Sequence, residues 1–391
     1  MPVALFALTL SAFAIGTTEF VIVGLVPTIA TDLNVSLPSA GLLVSLYAVG
    51  VAVGAPVLTA LTGRWNRKHV LLALMALFVA GNLLAWQAPG YASLIVARLL
   101  TGLAHGVFFS IGSTIATGLV AREKAASAIA IMFTGLTVAL VTGVPLGTWI
   151  GQNFGWRATF LVVSGLGLLA FIGSALLVPN NLKKAVPAGL AEQFQVLVQP
   201  RLLLVYLMTA LGYGGTFTTF TYLAPILEQQ SGFASSSTAL IMLVYGVSVA
   251  IGNIGGGKLA DKYGPIKALT FIFAGLALTL LAFTFTMNMK SAAVATVLVW
   301  GAFAFGNVPA LQVYVVQLAG KYTPAAVDVA AGLNIAAFNI GISVGAITGG
   351  FIVEHMSLQD TAWIGAAIAL LALAVTRYCG ALDQRSPQAI G

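Results

Sequence analysis

The sequence predicts an all-α integral membrane protein with twelve transmembrane helices in two pseudo-symmetric six-helix bundles. Only 7% of its 391 residues are charged and 59% are hydrophobic, whereas a soluble domain carries about 25% charged residues. The apolar stretches run for about 20 residues or more, the length at which a helix crosses a hydrocarbon core of about 30 Å. They lack the alternation of apolar and polar residues that marks a membrane β-barrel. Helices must therefore span the bilayer, because they satisfy their own backbone polar groups there.

The apolar stretches form two groups of six that flank one polar segment. We predict spans at 4–30, 38–62, 69–88, 91–120, 126–151, 157–178, 202–228, 236–258, 266–288, 291–319, 326–353 and 360–379. The polar stretch between the groups predicts a cytoplasmic linker with one short helix around Leu190 to Val198. The predicted organisation is an N-terminal bundle at 1–178, the linker at 179–200, a C-terminal bundle at 201–379 and a cytoplasmic tail at 380–391.

The distribution of basic residues predicts the topology. With the N-terminus in the cytoplasm, fourteen of the seventeen Lys and Arg residues fall in loops or tails on the cytoplasmic side, two fall in opposite loops, and Arg98 lies within a span. The positive-inside rule then places both termini in the cytoplasm of a multi-pass protein of the bacterial inner membrane. Membrane topology also accounts for the net charge of +7, so a nucleic-acid partner is not needed to explain it.

The loops after the second and eighth spans reveal an internal repeat. Residues 59–68 align with residues 257–266 at an offset of 198 positions, about half of the chain. Parallel repeats of six spans describe one large transporter architecture, in which the substrate site lies near the membrane midplane between the halves. The repeat therefore predicts a transporter with a central site.

Four motifs resemble those of the major facilitator superfamily. Residues 257–264 read Gly-Lys-Leu-Ala-Asp-Lys-Tyr-Gly and are similar to its loop motif, whereas the first copy has Gly63 at the aspartate position. Residues 98–102 resemble its arginine-x-x-polar-glycine motif. Residues 143–147 resemble its antiporter motif with one inserted residue, and residues 16–20 complete the set. The whole chain thus resembles the twelve-span drug:proton antiporters, and among them the arabinose or sugar efflux and purine-nucleoside efflux proteins.

The resemblance implies export by alternating access and a set of gating residues. The glycines at 143, 147 and 151 recur every fourth residue, a spacing that lets helices approach closely, and a proline between them would bend the span. Such packing either seals one side of the carrier or is plain helix packing. The predicted gating residues are Gly143, Pro145, Gly147, Arg67, Lys68, Gly257, Asp261 and Gly264.

Glu19 is the one acidic residue in the middle of a predicted span. A charged side chain at this depth costs about 2.5–3.5 kcal/mol, so it requires a reason, and an apolar medium favours its neutral, protonated form. We predict that Glu19 binds the coupled proton. Permanent hydrogen bonding to a neighbouring helix and recognition of a substrate amine or hydroxyl remain alternatives.

Arg98 and His105 lie seven residues apart, and hence on one face of the fourth span. His105 is predicted at the depth of Glu19, where an imidazole can share a proton with the carboxyl or serve as a packing residue. Arg98 keeps its charge and must pair with carbonyls or a carboxylate. We predict that both residues take part in proton coupling, and that His105 also contacts substrate.

The second half offers aromatic and amide side chains, which suit an amphipathic ligand. Asn334 and Asn339 point about 140° apart on a helix, so at most one of them is expected to face a central cavity, and the same holds for Asn307 and Gln312. Lipid contact or core packing is the alternative for each aromatic side chain. The predicted substrate-binding residues are Glu19, His105, Tyr213, Phe217, Phe220, Trp300, Gln312, Asn334, Phe338 and Asn339.

These observations favour proton-coupled efflux of a small amphipathic molecule, either a cationic drug or a neutral sugar or nucleoside. An uncoupled facilitator or a proton symporter of the same fold is the alternative. The chain has no phosphate-binding Gly-x-x-x-x-Gly-Lys-[Ser/Thr] loop and a single cysteine, Cys379, so we expect no nucleotide cofactor, no cysteine-based metal cluster and no enzymatic activity. Protons, a small molecule and lipid are the expected partners, and a monomer contains the complete pathway.

Overall fold

The computed structural model of the protein describes residues 2–62, 65–121, 125–180 and 190–385. Twelve of its helical stretches are long and apolar enough to cross a membrane, which confirms the predicted number of spans. The helices are α1 (Ala4–Asp32), α2 (Leu37–Thr62), α3 (Arg67–Trp86), α4 (Tyr91–Gly118), α5 (Ala125–Val138), α6 (Val144–Phe154), α7 (Trp156–Leu177), α8 (Leu190–Val198), α9 (Pro200–Phe220), α10 (Leu223–Gln229), α11 (Ser235–Tyr263), α12 (Pro265–Thr286), α13 (Lys290–Tyr322), α14 (Val327–His355) and α15 (Asp360–Arg385).

Two spans contain breaks: one lies in the fifth span, where the sequence analysis predicts a bend at a proline, and the other, in the seventh span, was not predicted. The fifth span consists of α5, a π-helical turn over Ala139–Gly143 and α6. Pro145 follows this turn and has no N–H to donate to the preceding turn, which favours a local change of helical pitch. The seventh span consists of α9 and α10, because the ring of Pro225 disfavours a regular turn four residues earlier, at Thr221.

Two helices continue beyond the apolar stretches from which their spans were predicted. α11 runs to Tyr263, so the motif at 257–264 lies mostly on the last turns of a helix and not in a loop. The helix ends at Gly264, whose φ of 82° is readily adopted by glycine. α15 runs to Arg385, so residues 380–385 of the predicted tail are helical, and Asp383 there contacts Arg201 and Tyr314. The short linker helix, α8, forms where it was predicted.

The two halves repeat one packing arrangement. In the first half α2 packs against α4, and in the second α11 packs against α13. A Cβ atom at Gly54 would lie 2.8 Å from the Leu103 carbonyl oxygen, and one at Gly252 would lie 2.0 Å from the Ala302 carbonyl oxygen. The offset is therefore 198 residues between α2 and α11 and 199 residues between α4 and α13.

The halves meet through α2 with α14, and through α11 with α6 and the π-helical turn. We call the end of the molecule that carries both chain termini the terminal end, and the other the opposite end. Ser45 Oγ donates to the Ser343 carbonyl oxygen at 3.1 Å, which joins α2 to α14. Nearer the opposite end, Tyr222 of the second half packs against Gly41 of the first half. These contacts hold the halves together between the middle of the membrane and the opposite end.

The predicted gating residues lie at the start of α3, on the last turns of α11 and in the fifth span. Asn66 caps α3 by accepting a hydrogen bond from the Lys68 backbone N–H at 2.9 Å, and Arg67 and Lys68 are both buried at this helix start. Gly257 and Asp261 lie on the last turns of α11. Gly63 and Arg64, which belong to the first copy of the loop motif, lie outside the described residues.

The glycines of the fifth span face α1. A Cβ atom at Gly143 would lie 2.2 Å from the Thr17 hydroxyl, and Gly147 and Gly151 meet Val21 and Leu25 in the same way. The predicted close approach is thus present as packing within the first half. Whether it also gates transport stays a prediction.

Candidate functional site

The candidate site is built around Glu19, which lies in the middle of α1 with 4% of its surface exposed. Neither carboxyl oxygen has a hydrogen-bond partner among the described residues. His105 approaches the carboxyl, with its Nδ1 atom 3.8 Å from Glu19 Oε2. The two residues therefore meet as the sequence analysis expects, while the carboxyl keeps its hydrogen-bonding capacity free.

His105 is held by the second span. The Tyr47 hydroxyl lies 3.0 Å from His105 Nδ1, within hydrogen-bond distance. Phe109 packs against the imidazole with ring centroids 4.9 Å apart. Glu19, His105 and Tyr47 thus form a short polar chain across α1, α4 and α2, in which His105 Nδ1 faces both the carboxyl and the hydroxyl.

Arg98 fixes the backbone under this chain. Its guanidinium donates to the carbonyl oxygens of Thr18 at 2.6 Å, Glu19 at 3.3 Å and Leu43 at 3.2 Å. It also lies 4.2 Å from the centroid of the Tyr47 ring, a cation–π contact. The expectation that Arg98 pairs with carbonyl groups therefore holds. Arg98, on α4, is thus hydrogen-bonded to α1 and α2 at the level of the Glu19 carboxyl.

A buried amide supports the same region from the third span. The Thr18 hydroxyl donates to Asn82 Oδ1 at 2.7 Å, and Asn82 Nδ2 donates to the Phe78 carbonyl oxygen at 2.9 Å. The residue before Glu19 is thus anchored by both α3 and α4. The sequence analysis missed Asn82, although an amide in the middle of an apolar span is itself a reason to look for a partner.

The second half faces the carboxyl region with aromatic side chains. Tyr213, Phe217 and Phe220 follow one another along α9, and Tyr213 packs on Phe338 with centroids 3.7 Å apart. Phe220 packs edge-on against Trp300 at 6.1 Å. The five aromatic residues predicted to bind substrate are therefore connected in one cluster, in which Phe338 is half-buried and the other four are buried.

Three aromatic residues of this region were missed. Phe20, next to Glu19, crosses to the second half and contacts Phe217 at 6.2 Å and Phe305 at 6.0 Å between centroids. Tyr245 of α11 stacks on Phe220 at 4.6 Å. The repeat contained the signal for one of them, because Tyr245 lies 198 residues after Tyr47.

The predicted amide side chains fall into two groups: some hydrogen-bond to other side chains, and others hydrogen-bond only to the backbone of their own helix. Asn334 accepts a hydrogen bond from the Thr209 hydroxyl at 2.6 Å and donates to Gln312 Oε1 at 3.2 Å. Asn339 and Asn307 instead donate to carbonyl oxygens of their own helices, and the Oδ1 atom of each is buried without a partner among the described residues. The structure thus pairs Asn334 with Gln312 and keeps Asn339 separate from them, as their helical spacing requires.

Twelve spans in two repeats, with the buried Glu19 carboxyl facing the second repeat, are typical of a polytopic membrane transporter. The chain belongs to the major facilitator superfamily, whose family model matches residues 8–327. It is 50% identical over 385 residues to YtbD of Bacillus subtilis, described as an uncharacterized MFS-type transporter, and the match covers 98% of this chain and 97% of YtbD.

A more distant relative agrees with this assignment, and a solved structure shares the fold. The chain is 32% identical over 374 residues to a probable sugar efflux transporter of Helicobacter pylori strain G27, covering 95% of this chain and 94% of the relative. It has the fold of a bacterial homologue of the human lysosomal transporter Spinster, crystallised in an inward-facing and unoccupied conformation. The TM-score is 0.78 at 16% identity, with 99% of this chain and 98% of the other covered. The resemblance to the superfamily and its sugar efflux members is confirmed.

Proposed function

We propose that this protein exports a small amphipathic molecule, such as a drug, a sugar or a nucleoside, in exchange for protons. One observation carries the proposal: the Glu19 carboxyl is buried in the middle of a span with no hydrogen-bond partner among the described residues. A carboxyl held permanently for structural reasons would have its oxygens satisfied. A carboxyl that must gain and lose a proton in each cycle benefits from remaining free.

His105 and Tyr47 supply the route by which the proton reaches and leaves Glu19. The 3.8 Å approach of His105 to the carboxyl and its 3.0 Å contact with Tyr47 place exchangeable protons on neighbouring groups. Arg98 is a positioning residue, because it holds the carbonyl oxygens on either side of this chain. Substrate occupies the region between Glu19 and the aromatic side chains of the second half, so that substrate and proton compete.

With both termini in the cytoplasm, the contacts between the halves close the outer side of the carrier. Ser45 with Ser343, and Gly41 with Tyr222, would separate when the halves rock to expose the site to the outside. A proton then enters as substrate leaves. A unit charge moving through 100 mV releases about 2.3 kcal/mol, enough for a roughly fiftyfold concentration gradient. A monomer in the bacterial inner membrane suffices for this cycle.

The proposal is tested by proton release in detergent. Purified protein in weak buffer is mixed with candidate sugars, nucleosides and lipophilic cations, and the pH change is followed with an indicator dye. We expect a bound ligand to release protons from wild type and not from Glu19→Gln. Glu228→Gln is the matched control, because Glu228 lies at the opposite end and bonds to Thr238, and it should release protons like wild type.

The remaining outcomes contradict the proposal in different ways. Release that survives unchanged in Glu19→Gln would remove this residue from coupling and point to His105. A ligand that binds and releases no protons from wild type would favour an uncoupled facilitator.

A further inference from the structure

The two halves keep the same backbone arrangement around Tyr47 and Tyr245 while their side-chain chemistry differs. A Cβ atom at Gly102 would lie 2.3 Å from the Tyr47 carbonyl oxygen, and one at Gly301 would lie 2.7 Å from the Tyr245 carbonyl oxygen. Tyr47 and Tyr245 thus occupy equivalent places in the two repeats. The side chains that surround the two tyrosines, however, differ in charge and in hydrogen bonding.

The second half has none of the ionisable partners found in the first. At the 199-residue offset between α4 and α13, Ala304 stands where the first half has His105, and Val297 stands where it has Arg98. The Tyr47 hydroxyl contacts the His105 imidazole, and the Tyr245 hydroxyl has no equivalent partner. It is buried without a hydrogen bond among the described residues.

Two further polar atoms of the same aromatic cluster are also buried without a hydrogen bond. Trp300 packs on Tyr245 with ring centroids 5.5 Å apart, and its Nε1 is buried without a partner among the described residues. The Tyr213 hydroxyl is also buried and unpartnered among the described residues, and the Tyr213 ring is connected to Tyr245 through Phe217 and Phe220. Buried polar groups are normally paired, and each exception requires an explanation.

The three buried polar atoms, Trp300 Nε1 and the hydroxyl oxygens of Tyr213 and Tyr245, each need a particular kind of hydrogen-bond partner. Trp300 Nε1–H can only donate, so it needs an acceptor, whereas a tyrosine hydroxyl both donates and accepts. An ammonium or phosphonium group offers no acceptor and would leave the indole N–H unpaired. A neutral molecule with hydroxyl or carbonyl groups on a ring supplies acceptors and donors together, and its ring can lie against the surrounding aromatic faces.

We propose that Tyr213, Tyr245 and Trp300 form a ligand subsite for a neutral ring compound carrying hydrogen-bond acceptors and donors. This inference rests on the proposed function for the statement that the bound compound is the transported substrate. The first half then holds the proton, and the equivalent region of the second half holds the substrate. Phe20 covers the cluster from the first half, so the ligand enters when the halves part.

The subsite is tested by equilibrium binding at fixed pH in detergent. The neutral probes are uridine and phenyl β-D-glucoside, and the cationic probes are tetraphenylphosphonium and 4-phenylbutylamine. We expect at least one neutral probe to bind at least tenfold more tightly than either cation. Trp300→Phe keeps an aromatic ring and removes the N–H, and it should weaken the binding of that probe by about tenfold or more. Tyr245→Phe should act in the same direction.

Matched variants separate the subsite from general damage. Trp149→Phe changes a tryptophan whose surface is 49% exposed, and it should leave the affinity unchanged. The proposal is overturned if neither neutral probe binds, if a cation binds more tightly, or if Trp300→Phe binds the neutral probe like wild type.

Failure of the subsite and failure of antiport give different results. Neutral binding that depends on Trp300 but releases no protons would contradict antiport and support the subsite. Binding of a cation, with proton release that depends on Glu19, would contradict the subsite and support antiport.

Discussion

Replacing Arg98 with lysine is expected to reduce proton-coupled transport by about tenfold to a hundredfold while leaving a folded, charged protein. The guanidinium reaches three carbonyl oxygens, those of Thr18, Glu19 and Leu43, and stacks on Tyr47. An ammonium is a compact charge without the planar fork and cannot keep this geometry. Hydrogen bonds to a charged group contribute about 1.5–3 kcal/mol each, so losing even one would displace the backbone that carries the carboxyl.

The effect should appear in coupling rather than only in stability. Ligand-induced proton release and transport rate are measured together with the thermal unfolding midpoint in detergent. Arg377→Lys is the matched control, because Arg377 is exposed near the end of α15. An Arg98→Lys protein that transports at the wild-type rate would show that the three carbonyl contacts do not position Glu19.

Replacing Gly246 with alanine is expected to open the contact between the fifth and eighth spans. A Cβ atom there would lie 2.2 Å from the Leu140 carbonyl oxygen and 2.8 Å from Val141 Cα, both in the π-helical turn. These are backbone atoms, which cannot move aside without shifting the helix. Overpacking of this kind costs about 1–3 kcal/mol, enough to lower the population of the closed contact by about tenfold.

The opening can be followed by chemical labelling. A cysteine at Ser45, in a background with Cys379 changed to serine, lies in the contact between the halves with 1% of its surface exposed. A membrane-impermeant maleimide added from the outside should label it faster in the Gly246→Ala protein, which should also transport more slowly. Gly255→Ala is the control, because a Cβ atom there has nothing within 4 Å. Equal labelling rates in the two variants would contradict the role of this contact in gating.

The sequence predicts the twelve spans because membrane thickness imposes one length scale on every apolar stretch. It fails at places where local chemistry sets the backbone. α11 continues past the apolar stretch to Gly264, since a helix end depends on capping and not on hydropathy. The break before α10 and the π-helical turn before Pro145 depend on single prolines within otherwise regular apolar spans.

At the site, the sequence could predict that Glu19 and His105 lie close together. Ionisable residues within a span are rare, and these two are placed at the same depth of the membrane. It could not place Phe20 against Phe217, because this contact depends on how the two halves dock. Tyr47 and Tyr245 carry no charge and so attracted no attention, although the repeat offset relates them. The 198-residue repeat offset relates Tyr245 to Tyr47, so each of the two residues points to the other.

The central claim is that Glu19 carries the exchanged proton, and uphill transport in proteoliposomes tests it most directly. A radiolabelled ligand identified by binding is added outside vesicles with an acidic lumen, where antiport should accumulate it against its gradient. We expect accumulation by wild type that a protonophore abolishes. Glu19→Gln should not accumulate the ligand, while it retains exchange of labelled for unlabelled ligand. Accumulation by Glu19→Gln at the wild-type level would contradict the account.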